Sequence, residues 1–359
     1  MYIQWWILFS FNILLAAGIM LTYIGRRSQR GPFESEIPAP SFRTLVIVPA
    51  KGVDYGFDDN LISLKSQGYS NYELLAVVDS EEDPAVDVLK NVGVNYIKSM
   101  DVCDRCSGKV RAIYSALLKY PDFECYVVAD SDILAGKTWL ESLLKPLGDP
   151  SIGASTTFPI FYPEGGFWSK FKMFWGLVGQ SMMESGLTRF VWGGSMAFRK
   201  ELLDDDSLKE FSQSISDDIS ILRIVKRKGL KVSYVPEARP EIHSEDGFSS
   251  FMEWSNRQTA FSIYSTDRTF QFGMIYYVAS IYLMVSSIVL GVFVDGLFFV
   301  FLFPYLFNTI NSLRKVPVKV WYFPALTLIL PYVYVWNLMS GVTRRRVVWR
   351  GNSYSLSRE

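Results

Sequence analysis

The sequence predicts a membrane-anchored α/β protein, in which a parallel sheet with helices on both faces lies between apolar segments at either end. Three observations carry this. Apolar residues make up 49% of the 359 positions and gather at the two ends. Between residues 41 and 261, short apolar runs suited to buried strands alternate with helical spacings. The strand-like runs also finish in carboxylates, which charges one edge of the sheet they imply. With 36 basic and 36 acidic residues, nothing in the bulk charge draws the chain to nucleic acid.

Residues 5–24 (WWILFSFNILLAAGIMLTYI) carry no charge, and about 20 apolar residues suffice to cross a bilayer. Arg26, Arg27 and Arg30 follow at once and favour the cytoplasmic side. A cleavable signal would carry its basic residues before the apolar run, so the order here reads as a signal anchor with its N-terminus outside.

In the middle region, residues 45–49 (LVIVP) form an apolar run suited to a strand buried on both faces. Residues 60–67 have helical spacing, and 72–78 (YELLAVV) make a second strand ending at Asp79. Residues 95–97 make a short third strand, 110–120 a helix, and 125–129 the next strand. Strand and helix in alternation argue for parallel pairing, and ligands bind beyond the carboxyl ends of such strands. Those ends carry Pro49-Ala50-Lys51-Gly52, Asp79 with Glu81, Glu82 and Asp83, and Asp130-Ser131-Asp132.

Neither GxGxxG nor GxxxxGK[ST] occurs, which disfavours the usual glycine-rich phosphate loops. Two aspartates one residue apart at a strand end repel each other unless a cation lies between them. Mg²⁺ or Mn²⁺ prefers such hard oxygens and commonly bridges carboxylates to substrate phosphates. An acidic turn after a strand is the plainer reading of the triplet alone; Asp79 beside it favours the metal. Cys103, Cys106 and Cys125 are the only cysteines. Three is an odd number in a domain expected to face a reducing compartment, so no disulfide is expected, and no second ligand pair accompanies Cys103 and Cys106 for zinc.

The C-terminal third is apolar again. Residues 272–294 can span, Asp295-Gly296 reads as a hairpin tip, and 297–310 can return. Arg314, Lys315 and Lys319 mark the cytoplasmic side. Residues 321–341 form another apolar run holding Pro324 and Pro331, followed by Arg344-Arg345-Arg346. Basic flanks on both sides of one crossing conflict with the charge bias, so a proline-bent re-entrant segment is expected there. Residues 248–264 are rich in aromatics and suit the interface. The expected organisation is an anchor over 1–30, a catalytic domain over 40–247 and an interfacial segment over 248–270. Membrane or re-entrant segments follow over 271–343, then a cytoplasmic tail over 344–359.

A strand-end proline, an aspartate after the second strand, a DxD and a later acidic pair together resemble a family-two glycosyltransferase with the A-type fold. PAKGVD (49–54), YSNYELLAVVDSEEDPAV (69–86), GKV (108–110) and VVWRGNSYSL (347–356) are similar to the ceramide glucosyltransferase branch. The similarity covers nearly the whole chain. It implies that Asp79 holds the nucleotide base, that Asp130 and Asp132 bind the divalent cation and through it the diphosphate, and that Asp218 is the general base. Asp217 stands where glutamate is usual. Pro49, Lys51, Lys109, Trp192, Gly194 and Arg257 would complete the donor site.

The same residues have plainer readings. Asp217-Asp218 after Ser216 is a natural helix start, with carboxylates complementing the dipole. Trp192-Gly193-Gly194-Ser195 can be a turn before a strand. His243, the only histidine, can be a hydrogen-bonding loop residue or lie on the acceptor side. Many relatives carry [QR]xxRW on an interfacial helix; here the matching stretch is Arg257-Gln258-Thr259-Ala260-Phe261, which lacks the second basic residue and the tryptophan.

Inverting glycosyl transfer needs a base for the acceptor proton and charge neutralisation for the departing diphosphate. The expected protein is therefore a membrane-bound inverting hexosyltransferase with a cytoplasmic catalytic domain. It would move a sugar from a nucleotide-diphosphate sugar, a UDP-sugar by resemblance, to the hydroxyl of a membrane lipid. The alternatives are a polysaccharide synthase, a polyprenyl-phosphate sugar synthase, and a non-catalytic relative that binds sugar nucleotide or lipid.

Overall fold

The computed structural model describes residues 2–28, 40–103, 106–265, 268–349 and 352–355. The chain divides into a helical unit (Met1–Arg30, Pro163–Val178 and Glu245–Glu359) and a sheet unit (Gly31–Tyr162 and Gly179–Ser244). Helix α1 (Tyr2–Ser28) opens the helical unit.

The sheet unit follows as β1 (Thr44–Ala50), α2 (Phe57–Lys65), β2 (Tyr72–Val78), α3 (Ala85–Val92), β3 (Asn95–Lys98), α4 (Gly108–Lys119) and β4 (Cys125–Ala129). Next come α5 (Trp139–Leu144), β5 (Ile152–Thr156) and β6 (Ile160–Pro163), while α6 (Phe167–Met183) lies mainly in the helical unit and ends in the sheet unit. The unit closes with β7 (Ser195–Arg199), α7 (Asp205–Ser212), α8 (Asp217–Arg227), β8 (Lys231–Tyr234) and β9 (Glu241–Ser244). Seven strands form one sheet in the order β3-β2-β1-β4-β7-β5-β8, while β6 and β9 pair separately. β3, β2, β1 and β4 are mutually parallel; β7 runs antiparallel to both β4 and β5, and β8 is parallel to β5.

The apolar runs explain the central strands. β4 is buried throughout and β1 everywhere except Pro49, as expected of strands covered on both faces. Pairing of β1 with β4 ends at Ile47, whereas pairing with β2 continues to Ala50. Pro49 therefore lies beyond the last β4 contact, where a strand tolerates a missing N–H. One core cluster packs Leu45, Ile47, Val77 and Val128 against Ile113, Ala116, Phe198 and Ile224. Helix α3 stops at Gly93, whose φ of +71° lets its N–H and that of Val94 cap the last carbonyls.

Cys103 and Cys106 are joined as a disulfide, with their Cα atoms 5.8 Å apart, and Cys125 is free and buried. This corrects the expectation of three thiols. Parity excludes complete pairing only; two cysteines three positions apart can still meet.

The helical unit continues with α9 (Phe248–Ser265), α10 (Thr269–Phe293), a 3-10 segment (Gly296–Leu302) leading into α11 (Phe303–Leu313), and α12 (Phe323–Thr343). A hairpin of β10 (Arg346–Trp349) and β11 (Asn352–Ser355) follows. Among the described residues, four segments are long and apolar enough to cross a membrane: Gln4–Thr22, Thr269–Phe293, Gly296–Leu313 and Phe323–Thr343. That fits a membrane protein. Arg30 of the first basic flank, and Arg350, Gly351 and Leu356 of the C-terminal motif, lie outside the described residues.

Residues Phe323–Thr343 form one helix that continues through Pro331. Neighbouring helices can satisfy the backbone group a proline frees, and α12 is well surrounded. Asn337, fully buried, accepts from Trp175 Nε1 (3.1 Å) and donates to Ser255 Oγ (3.1 Å) and Asn256 Oδ1 (2.9 Å). Tyr334 stacks between Trp175 and Tyr277, with centroids 5.1 and 4.6 Å away. At Gly341 a Cβ would come within 2.8 Å of Ile263 and 3.3 Å of the Ala260 backbone, so glycine allows α12 to approach α9 closely.

Candidate active site

The parallel register brings the ends of β1, β2 and β4 to one edge of the sheet. β7 enters antiparallel with Ser195 opposite Ala129, so the turn before it reaches the same edge. The Asp130 N–H donates to Gly194 O at 3.0 Å. The Asp130–Asp132 turn is pinned from the β1–α2 loop and from α2: Ser131 Oγ donates to Asp54 Oδ2 (2.5 Å), and Asn60 Nδ2 on α2 donates to Ser131 O (3.1 Å).

The start of α4 supplies the central cation. Ser107 caps this helix by accepting from Val110 N–H at 3.2 Å, and its own N–H donates to Ser214 O at 3.3 Å. These bonds fix α4 beside the loop leading into α8. From the first turn of α4, Lys109 Nζ meets Asp130 Oδ1 at 2.6 Å and Asp217 Oδ2 at 3.2 Å. The Lys109 and Asp217 side chains are only 9% and 8% exposed. Burial alone would lower the lysine pKa, but Asp130 and Asp217 outweigh it and hold the ammonium well above the ordinary lysine range. Burial pushes Asp217 up to about 6; Lys109 opposes this, while the charges of Asp218 and Asp130 add to it. One ammonium thus serves three carboxylates, and the excess negative charge suits a further cation.

Asp218 has different surroundings. It is half-buried, takes a short hydrogen bond from Ser216 Oγ, and accepts from Ile219 N–H at 2.8 Å. Ser216 occupies the N-cap position of α8, but its side chain makes no hydrogen bond to the helix backbone. The hydroxyl holds the Asp218 carboxylate instead, which corrects the cap reading.

At the end of β2, Asp79 meets Arg111 at 3.0 Å and Lys51 at 3.3 Å. Partial burial would raise its pKa, but these two cations together hold it below the ordinary carboxylate range. The Lys51-Gly52 loop is tied to β2's following turn by Gly52 N–H donating to Asp83 Oδ1 at 2.9 Å.

The Trp192–Ser195 turn is a close-packed joint. A Cβ on Gly193 would come within 2.5 Å of Asp217 Oδ2, and one on Gly194 would run into the Trp192 indole. Trp192 in turn packs on Phe158, centroids 6.0 Å apart. Ser195 Oγ accepts from Trp139 Nε1 at 2.8 Å, fully buried, so this hydroxyl serves packing.

The sheet unit therefore gathers Pro49, Lys51, Asp79, Lys109, Asp130, Asp132, Trp192, Gly194 and Asp218 on the strand ends and adjoining helix starts. Arg257 lies on α9 in the helical unit. Arg111 is the addition that spacing did not single out, whereas Asp54 closes the PAKGVD stretch and Gly193 belongs to the glycine pair read in the sequence. Arg111 shares the first turn of α4 with Lys109, and that proximity is the one available sign. As for a metal, Asp130 and Asp132 are hard oxygen donors on one turn, which fits Mg²⁺ or Mn²⁺. Among the described residues, no three His, Cys, Asp or Glu side chains are grouped to hold an ion, so substrate oxygens or water would complete the shell.

The fold and this strand-end constellation define a glycosyltransferase. Glycosyl transferase family 21 matches residues 9–359; the chain belongs to that family, a family-two-like glycosyltransferase. Among solved structures, it is similar to the mannosyltransferase PcManGT from Pyrobaculum calidifontis in complex with GDP-Man and Mn²⁺. That match has 13% identity and a TM-score of 0.57, covering 92% of this chain and 99% of that one. A second similarity is to glucosyl-3-phosphoglycerate synthase from Mycobacterium tuberculosis in complex with Mn²⁺ and UDP-glucose. It has 14% identity and a TM-score of 0.40, covering 62% of this chain and 79% of that one. The sheet unit has the GT-A fold.

Proposed function

We propose that this protein is a membrane-bound inverting hexosyltransferase of the ceramide glucosyltransferase type, moving a sugar from a UDP-sugar to a lipid hydroxyl on the cytoplasmic face. The carrying observation is the division between neighbours: Asp217 is buried against Lys109, while Asp218 stays half-buried with its carboxylate oriented by Ser216 and Ile219 N–H. In this reading Asp218 takes the acceptor hydroxyl proton as the oxygen bonds to the anomeric carbon. The bond from that carbon to the diphosphate breaks, and its electron pair leaves with the diphosphate.

Asp79, oriented by Arg111 and Lys51, holds the nucleoside. Asp130 and Asp132 hold Mg²⁺ or Mn²⁺, which when bound neutralises the diphosphate charge. Pro49 and Lys51 shape the nucleotide loop, and Trp192 and Gly194 line the sugar side. The apolar helices in both terminal regions support a lipid acceptor. The join of α12 to α9 supports a cytoplasmic tail: Tyr264 OH donates to Arg344 O at 2.8 Å, and Val347 packs on Ala260. Arg344–Arg346 therefore lie at the α9 end from which α10 departs.

A second reading, a non-catalytic binding relative, is favoured by one feature. Ala260 occupies the position of the second basic residue of [QR]xxRW, and it is fully buried against Gly341 and Val347. That close contact leaves no room for an arginine.

Purified protein given labelled UDP-sugars, Mn²⁺ and membrane lipid extract should form a chloroform-soluble labelled product. Asp218→Asn should lower turnover by about 10²–10⁴-fold with UDP affinity nearly intact. Equal loss of both would overturn the base assignment. UDP binding without product from any donor would favour the binding relative, and a water-soluble polymer would favour a synthase.

A further inference from the structure

Helix α12 is apolar and 21 residues long, enough to cross a bilayer, yet its partners are not those of a crossing helix. On one side it follows α6. Tyr322, just before α12, stacks on Phe167 with centroids 5.8 Å apart, Phe323 meets Phe174 at 4.9 Å, and Tyr334 meets Trp175 at 5.1 Å. On another side it follows α9, where Asn337 bonds Ser255 and Asn256 and Gly341 packs on Ala260 and Ile263. Lys170 and Lys172 stand on α6, Glu253 and Arg257 on α9. Such charges keep a helix out of the hydrocarbon layer, so a helix held against both from end to end is kept at their level.

The helices of the apolar hairpin meet α12 near one end only. Gly273, at the start of α10, lies where a Cβ would come within 2.9 Å of Leu338, and Tyr277 stacks on Tyr334 at 4.6 Å. Thr309, close to the end of α11, donates to Thr327 Oγ1 at 2.9 Å. Leu283, Phe298 and Phe301 pack instead with Phe9 and Ile19 of α1, a cluster without any α12 member among the described residues.

The uncovered side of α12 is a single stripe of Leu328, Ile329, Tyr332, Trp336, Met339 and Val342, at the spacing of one helix face. A crossing would carry Tyr332 and Trp336 into the bilayer interior, whereas such amphipathic rings favour the interface. At the other end Trp321 is 91% exposed and Phe248 58%. They belong to one ring cluster: Trp321 meets Tyr322 at 5.5 Å, Phe167 meets Trp168 at 5.0 Å, and Trp168 meets Phe248 at 4.8 Å.

We propose that α12 does not cross the membrane but lies in its plane on the cytoplasmic face, docked between α6 and α9. Its stripe, with Trp321 and Phe248, is then a surface for the boundary between lipid headgroups and acyl chains. This rests on the cytoplasmic placement of Arg344–Arg346 and goes beyond it. Arg314, Lys315 and Lys319 before α12 and the three arginines after it then share the side their charge favours.

The test uses the full chain without its native cysteines, in uniformly oriented phosphatidylcholine–phosphatidylglycerol vesicles. Nitroxide labels are placed on Trp321→Cys, Tyr332→Cys and Trp336→Cys, all exposed positions, and their depth is read from collisions with oxygen and a nickel chelate. All three should lie about 5–10 Å into the headgroup and acyl boundary. A crossing helix would separate the first and last by about 22 Å in depth, and that result would overturn the proposal; Tyr332 alone reports it if either end variant fails to fold. Equal depths, with the labels reduced by impermeant ascorbate from the same side as one on Asp295→Cys, would overturn the cytoplasmic placement and leave the in-plane position standing.

Discussion

Asp217 and Asp218 are adjacent in sequence but differ in every respect that matters to proton transfer. Burial raises Asp217 and Lys109 immobilises it, while Asp218 faces a polar environment with two donors. The backbone of Gly193 makes the first arrangement possible. Gly193→Ala forces a methyl group against the Asp217 carboxylate and should destabilise the protein by about 1–3 kcal/mol. Thermal unfolding measures that cost, and transfer activity should fall with it. Asp79 provides a pH-dependent counterpart. Its folded-state pKa is depressed by Arg111 and Lys51, so its contribution to stability is complete above the ordinary carboxylate value near pH 4 and is lost as pH falls below it. In Arg111→Gln the folded-state value should lie closer to the ordinary one, so the pH-dependent loss should be smaller and complete at a higher pH, which melting curves between pH 2 and 6 would show.

At the scale of elements, α12 depends on one buried polar side chain. Asn337→Ala leaves Trp175 Nε1 without its acceptor and removes two donors to α9. The expected cost is about 1–3 kcal/mol, read as a lowered melting temperature of the solubilised protein. Legibility also varied by element. β1, β2 and β4 could be read because strands covered on both faces are nearly continuous apolar runs, and their ends then located Asp79 and Asp130. β5 (IGAST) was not foreseen, since its small and polar residues are buried by their neighbours rather than by their own hydrophobicity, whereas β7 follows the turn read at Trp192–Ser195. Arg111 escaped notice for a related reason: its role arises where separate elements approach.

For the whole molecule, the join between α12 and α9 bears on membrane topology. In a background lacking the native cysteines, a single cysteine at Asp295 should react with an impermeant reagent from outside. One at Thr343 should react only from the cytoplasmic side. Labelling of both positions from one side would refute the proposed orientation. Lys109 also bears on the order in which the molecule comes into being. It draws together residues from α4, the turn after β4 and the start of α8, and such distant contacts form late because the intervening chain must close first. During synthesis α1 leaves the ribosome long before Asp217 and Asp218 exist. A nascent chain can thus be tethered to its membrane while chemically silent, and transfer can begin only after nearly all of the sheet unit has been translated and closed around one ammonium.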